Sequence, residues 1–170
     1  MSPPSRFPEA LLLGAIVVLD QITKEVLKRG LELHEYRSIV DGFLSLSHVR
    51  NRGAAFGLLA ETGLPYQGPI LAVVSLLALA AITAYAFRLP HQARLPRLAL
   101  AFILGGAIGN LIDRLRFGYV VDFIHVYWNQ HSWPDFNVAD SAISTGVALL
   151  LLDMLRPARR PEPQPHPDVP

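Results

Sequence analysis

The sequence has no cysteine, which excludes a disulfide framework, a thiolate zinc site, an iron–sulfur cluster and a thiol nucleophile. Charge is scarce as well: 17% of the 170 residues are Asp, Glu, Lys or Arg, against roughly 25% in an average soluble domain. Fifteen basic and fourteen acidic residues leave a net charge of +1, so there is no basic excess to bind nucleic acid. The six histidines never form a His-Glu-x-x-His spacing, and no glycine-rich phosphate-cradling loop occurs. What is plentiful is apolar surface, with 51% hydrophobic residues and a mean hydropathy of +0.32. The length is one domain's worth, and the composition is that of an integral membrane protein.

A helix needs about 20 mostly apolar residues to cross a hydrocarbon core roughly 30 Å thick. Residues 62–87 run twenty-six positions without a charge, while 10–19, 98–112 and 141–152 must continue into polar residues to span. The expected architecture is all-α, with four transmembrane helices near 8–27, 66–88, 96–115 and 137–156, forming one domain over 1–156. The first helix is charged at its far end and lacks a small-residue cleavage site, so it is not read as a removable signal peptide. In the first loop, Ile39-Val40, Asp41-Gly42 and the alternation over 43–49 predict a hairpin, a small extracytoplasmic β element. Segment 116–136, with Tyr119, Tyr127, Trp128 and Trp133, reads as a loop at headgroup level. The tail 157–170 holds six prolines and reads as disordered and cytoplasmic.

Basic residues are densest on the side shared by both termini, including three arginines within 88–97, which predicts cytoplasmic termini. With that orientation, three polar helix ends meet at the outer face: Asp20/Lys24, Asn110/Asp113/Arg114 and Asn137/Asp140. Gly106, Gly109, Asn110 and Asp113 form one helical stripe, and Asn137, Asp140, Ser141 and Ser144 another. Gly105 and Gly109 also form a GxxxG, which permits close helix approach. The plain alternative is that both stripes are polar packing between helices. The second helix contributes no polar group there and reads as a lipid-facing strut.

Ionisable residues at the edge of a membrane bundle point to a functional site. A Ser141 or Ser144 dyad with Lys24 satisfies residue type alone. A carboxylate pair is the stronger candidate, because two close aspartates share a proton and supply a general acid and a general base together. Asp20 has Lys24 one turn on and Asp113 is followed by Arg114, so structural ion pairs are expected for both. Asp122 and Asp140 have no basic residue within three positions. Asp122 sits in the apolar run 119–124, and Asn137 is better placed than Asp140 to cap the last helix, which leaves Asp140 free. The same acids are also compatible with a small proton-coupled transporter or channel, or with a non-catalytic assembly factor.

Five blocks in order carry a family resemblance: Asp20-Gln21-Ile22-Thr23-Lys24, Asn51-Arg52-Gly53-Ala54-Ala55-Phe56, the run 105–114, Val120-Val121-Asp122-Phe123-Ile124 and the run 136–143. The sequence resembles the lipoprotein signal peptidases (signal peptidase II), aspartic proteases of the bacterial inner membrane. Arg52 departs from the family, many members of which have a small polar residue there. The resemblance implies a metal-independent endopeptidase without a cofactor, acting on diacylglyceryl-modified prolipoproteins just before the lipidated cysteine. It implies Asp122 and Asp140 as the catalytic dyad, and Asn51, Gly106, Asn110, Arg114 and Asn137 as substrate-binding residues. It implies structural roles for Asp20 and Lys24, alongside the ion-paired Asp113. Membrane lipid is the expected surround, and the first-loop hairpin is expected to lie over bound peptide as a cradle.

Overall fold

The computed structural model describes residues 6–53 and 66–156. The proline-rich tail and the block Ala54-Ala55-Phe56 lie outside the described residues. The elements run α1 (Phe7–Gly30), β1 (Tyr36–Val40), β2 (Leu44–Asn51), α2 (Gln67–Arg88), α3 (Arg94–Phe117), β3 (Val120–Trp128), β4 (His131–Ser132) and α4 (Val138–Met154). The four expected helices are present, each within a few residues of its expected ends.

Local chemistry explains the boundaries. Proline stands in the first turn of α1, where its missing N–H costs nothing. Gly118 ends α3 in the left-handed region (φ 76°), a conformation that favours glycine. Asn137 caps α4 by accepting from Asp140 N. Gly42, also left-handed at φ 76°, turns β1 into β2, as the Asp-Gly pair predicts.

The sheet is antiparallel in the order β1-β2-β3-β4. The expectation of a plain loop over 116–136 is corrected here, because Val120–Trp128 pairs with the hairpin as β3. Val120, Val121, Asp122 and Phe123 are all buried. A strand covered on both faces shows no apolar–polar alternation, so the pattern that revealed β2 is missing from β3.

Helix α3 is central and packs against α1, α2 and α4. Burial is inverted relative to a water-soluble bundle. Val18, Leu19, Ile22 and Val26 on α1, Val73, Val74, Leu76 and Leu77 on α2, and Leu151 and Leu152 on α4 are exposed. Asp20, Lys24, Asn110, Asp113, Asp122 and Asn137 are buried. An apolar exterior of this extent marks a surface not meant for water. By length and composition, α2 and α3 can each cross a membrane.

Small residues set the helix separations, as the GxxxG suggests. A side chain at Gly106 would collide with the Ala139 carbonyl and crowd Ile143, and one at Gly109 would meet Asp20 Oδ2 at 2.6 Å. Gly106→Ala is therefore expected to destabilise the protein by about 1–3 kcal/mol, read as a lower unfolding temperature in detergent. Gly14, whose surroundings are open within 4 Å, is the control: Gly14→Ala should be neutral or stabilising.

Candidate active site

Helices α1, α3 and α4 and strand β3 bring their polar groups to one end of the bundle. Asp20 and Lys24 share a face of α1 one turn apart, so both point at α3. Lys24 Nζ lies 2.9 Å from Asp20 Oδ2 and 3.0 Å from Asp113 Oδ2, and donates to Asn110 Oδ1 at 2.9 Å. The partner of Asp113 is thus Lys24, whereas sequence adjacency pointed to Arg114. All three charged groups are buried, where an ion pair persists only if its remaining lone pairs are satisfied.

They are satisfied in an informative way. Asp20 Oδ1 accepts from Ala139 N at 2.9 Å, and Asp113 Oδ2 from Val121 N at 3.1 Å. Ala139 and Val121 immediately precede Asp140 and Asp122. The ion cluster therefore holds the peptide just before each acid. Gln21 completes it, donating from Nε2 to Asp20 Oδ2, Asp113 Oδ1 and the Gly109 carbonyl. Sequence reasoning passed over Gln21 as a site residue; its only signal was its place in the first matching block.

Each acid is gripped by two amide donors. Asp122 Oδ1 accepts from Asn137 Nδ2 at 2.6 Å and Oδ2 from Asn51 Nδ2 at 3.0 Å. Asp140 Oδ1 accepts from Asn110 Nδ2 at 2.8 Å and Oδ2 from Asn137 N at 3.2 Å. The last bond corrects the expectation that Asn137 alone caps α4 and leaves Asp140 free. Asn137 and Asp140 form a reciprocal capping box, so Asp140 is fixed by the same helix start that presents it. Asn137 Nδ2 also approaches Val121 O and Asn110 Oδ1, each at 3.2 Å, and so links the surroundings of both acids.

Burial pushes the Asp122 carboxyl up to about 7, aided by the negative charge of Asp140 and opposed by the Asn51 and Asn137 hydrogen bonds and by Lys24. Its ordinary value is 3.8. The folded protein therefore binds a proton that the unfolded chain releases, and this contribution to stability is complete below about pH 4 and lost as pH rises through about 7. Removing the titration with Asp122→Asn should flatten the decline in unfolding temperature across that window.

Arg114 is half-buried and donates to the Gly53 carbonyl at 3.1 Å, within reach of the charges of Asp140, Asp122 and Asp113. Asn51 is half-buried at the end of β2. Gly106 faces α4, and Asn110 and Asn137 are buried with their amides on the acids. The serine–lysine dyad is not assembled: Ser141 is exposed and donates to the Asn137 carbonyl, while Lys24 is buried among carboxylates. Ser144 is exposed too, so the stripe on α4 turns outward at the serines. Among the described residues, no group of three His, Cys, Asp or Glu is placed to hold a metal.

Residues 12–156 match the family described as signal peptidase (SPase) II. The lipoprotein signal peptidase of Geobacter sulfurreducens is 47% identical over 163 residues, covering 96% of this chain and all of the relative. That of Geobacter metallireducens is 46% identical over 151 residues, covering 89% and 92%. A solved structure described as a bacterial membrane enzyme superposes with a TM-score of 0.79 at 27% identity, covering 88% of each chain.

Proposed function

The chain belongs to the signal peptidase II family, and on that premise we propose that Asp122 and Asp140 are its acid–base pair, cutting diacylglyceryl-modified prolipoproteins just before the lipidated cysteine. The family is one of membrane proteases that process lipoproteins, and neither a transporter nor a channel finds support. The observation that carries the residue assignment is the double grip on two neighbouring carboxyl groups, Asp122 buried and raised to about 7 and Asp140 half-buried.

A pair sharing one proton hydrolyses a peptide without a covalent intermediate. The carboxylate takes a proton from water as the water oxygen attacks the scissile carbonyl carbon. The protonated partner gives its proton to the carbonyl oxygen. The tetrahedral species then collapses, the carbon–nitrogen bond breaks, and a proton passes to the leaving cysteine nitrogen. One aspartate of the pair enters as the acid and the other as the base, and the two titrate as a unit. Asn110 and Asn137 orient the pair, while Asn51 and Arg114, the half-buried members, contact the extended substrate backbone. Asp20, Lys24 and Asp113 are structural.

Four spans within one domain over 1–156 are consistent with the apolar exteriors of α1 and α4, and cytoplasmic termini follow from the arginine-dense ends. That orientation puts the acids near the outer face of the inner membrane, where a lipidated substrate enters sideways from the bilayer with its acyl chains in lipid. The β1–β2 hairpin acts as a cradle over the bound peptide; crosslinking it to the bundle should abolish turnover.

The test follows cleavage of a diacylglyceryl-modified precursor by gel shift, for wild type and the two Asp→Asn variants, with and without EDTA. Cleavage that persists in EDTA and is absent from both variants supports the dyad. Loss of cleavage in EDTA overturns it. The pH profile is a second check: kcat/KM should fall as pH rises through about 7, where Asp122 loses its proton.

A further inference from the structure

Towards the other end of the bundle, the first half of α1, the end of α2 and residues 97–108 of α3 line a half-open cavity of about 400 Å³. Its walls are apolar, with Leu13, Leu100, Leu104 and Ile108 among them, and its rim carries Arg6, Glu9 and Arg97. Its rim at Glu9 and Arg97 lies about three helical turns from Asp20 and Asn110, and neither Asp122 nor Asp140 lines it.

We propose that this cavity is a binding site for an anionic diacyl phospholipid, one acyl chain in the cavity and the headgroup at the arginine rim. Apolar walls of this extent are poorly solvated by water and favour an apolar occupant. For a bundle with an apolar exterior lying in a bilayer, a lipid chain is the apolar occupant at hand.

Charge selects the headgroup. Arg97 is buried and sits 2.8 Å from Glu9, so that pair is neutral overall. Arg6 remains in excess. Its guanidinium donates to the Ala86 and Phe87 carbonyls at 3.1 and 3.2 Å and lies 5.1 Å from the Phe87 ring centroid, which fixes a cation at the rim. Arg88, directly after Phe87, and Arg94, at the start of α3, are exposed at the same end. The rim is thus net positive where a phosphate would sit. Basic side chains of this kind favour anionic over zwitterionic lipid by roughly five- to tenfold per charge engaged.

The protein has two tryptophans, Trp128 and Trp133, both in the β3–β4 region remote from the cavity. With both changed to Phe, an added Phe87→Trp places the reporter at the cavity wall, and because Phe87 is 67% exposed only the saturable part of its quenching is read as cavity binding. The reporter protein is placed in phosphatidylcholine vesicles containing a minor fraction of brominated-chain phosphatidylglycerol or of brominated-chain phosphatidylcholine. The expected result is saturable quenching with a five- to tenfold preference for the glycerol lipid. Arg6→Gln with Arg94→Gln should bring that preference towards unity, and Ala101→Phe, which fills the cavity, should remove the saturable component. The arginine variants alter only the rim, so they decide the matter even if the filled variant fails to fold. Equal quenching by both lipids, or a preference that survives loss of both arginines, overturns the proposal. So does quenching that tracks the protein-to-lipid ratio, which would assign the cavity to a second copy of the chain.

Discussion

Replacing Asp122 or Asp140 by asparagine is expected to lower cleavage of a diacylglyceryl-modified precursor by at least about a thousandfold, the scale on which a positioned acid or base contributes. The two variants should differ in stability. Asp122 is 1% exposed and its carboxyl is pushed up to about 7, so a neutral amide removes a buried charge above neutral pH, which offsets the one acceptor it loses of the two used by Asn137 and Asn51 and should leave the unfolding temperature near level there. Asp140 accepts from Asn110 and from Asn137 N on separate oxygens. An amide has one acceptor oxygen, so Asp140→Asn loses half of the capping box and should cost about 1 kcal/mol. Both should still bind precursor, because Asn51 keeps its hydrogen bond from Gly53 N and Arg114 keeps its hydrogen bond to the Gly53 carbonyl in either variant. Near-normal turnover in either variant would make that aspartate structural.

The second large effect is expected from Lys24→Met. It removes one ammonium from between two buried carboxylates at 2.9 and 3.0 Å. Breaking a buried pair by deleting one partner costs about 3–5 kcal/mol, because the charge left behind stays unpaired. The damage should propagate, since Asp20 and Asp113 hold the peptides before Asp140 and Asp122. Adding Asp20→Asn should recover part of the unfolding temperature by removing one uncompensated charge, which a purely volumetric defect would not allow. Lys24 also lowers the Asp122 carboxyl. Any active Lys24→Met protein should therefore show its alkaline limb shifted to higher pH. An unmoved limb with an unchanged unfolding temperature would mean that Lys24 neither supports nor tunes the pair.

Much of this site was legible in the sequence because helical periodicity reports facing. Gly106, Gly109, Asn110 and Asp113 recur at helical spacing and all turn out buried. Asp20 and Lys24, one turn apart, share the face that meets them. The hairpin was legible from Asp41-Gly42 and the alternation that follows. Strand β3 was not, because burial on both sides removes alternation. The serines of α4 misled for a related reason: their spacing continues the polar stripe, but that face leaves the bundle after Asp140, and Ser141 satisfies its hydroxyl on its own helix.

By itself the sequence determined the apolar class of the protein, its four helices, the end at which their polar groups gather, and the motifs that place it in its family. Each follows from composition or from spacing along one segment, which the chain carries locally. Only the tertiary structure decided which charge neutralises which and what each amide holds. Lys24 reaches Asn110 across 86 residues, and Ala139 N reaches Asp20 across 119. Such pairings depend on how closely the helices approach, set at the α3–α4 contact by the absence of a side chain at Gly106. A buried polar group takes whichever partner the packing brings within about 3 Å, and that choice made Asn137 the link between the two acids.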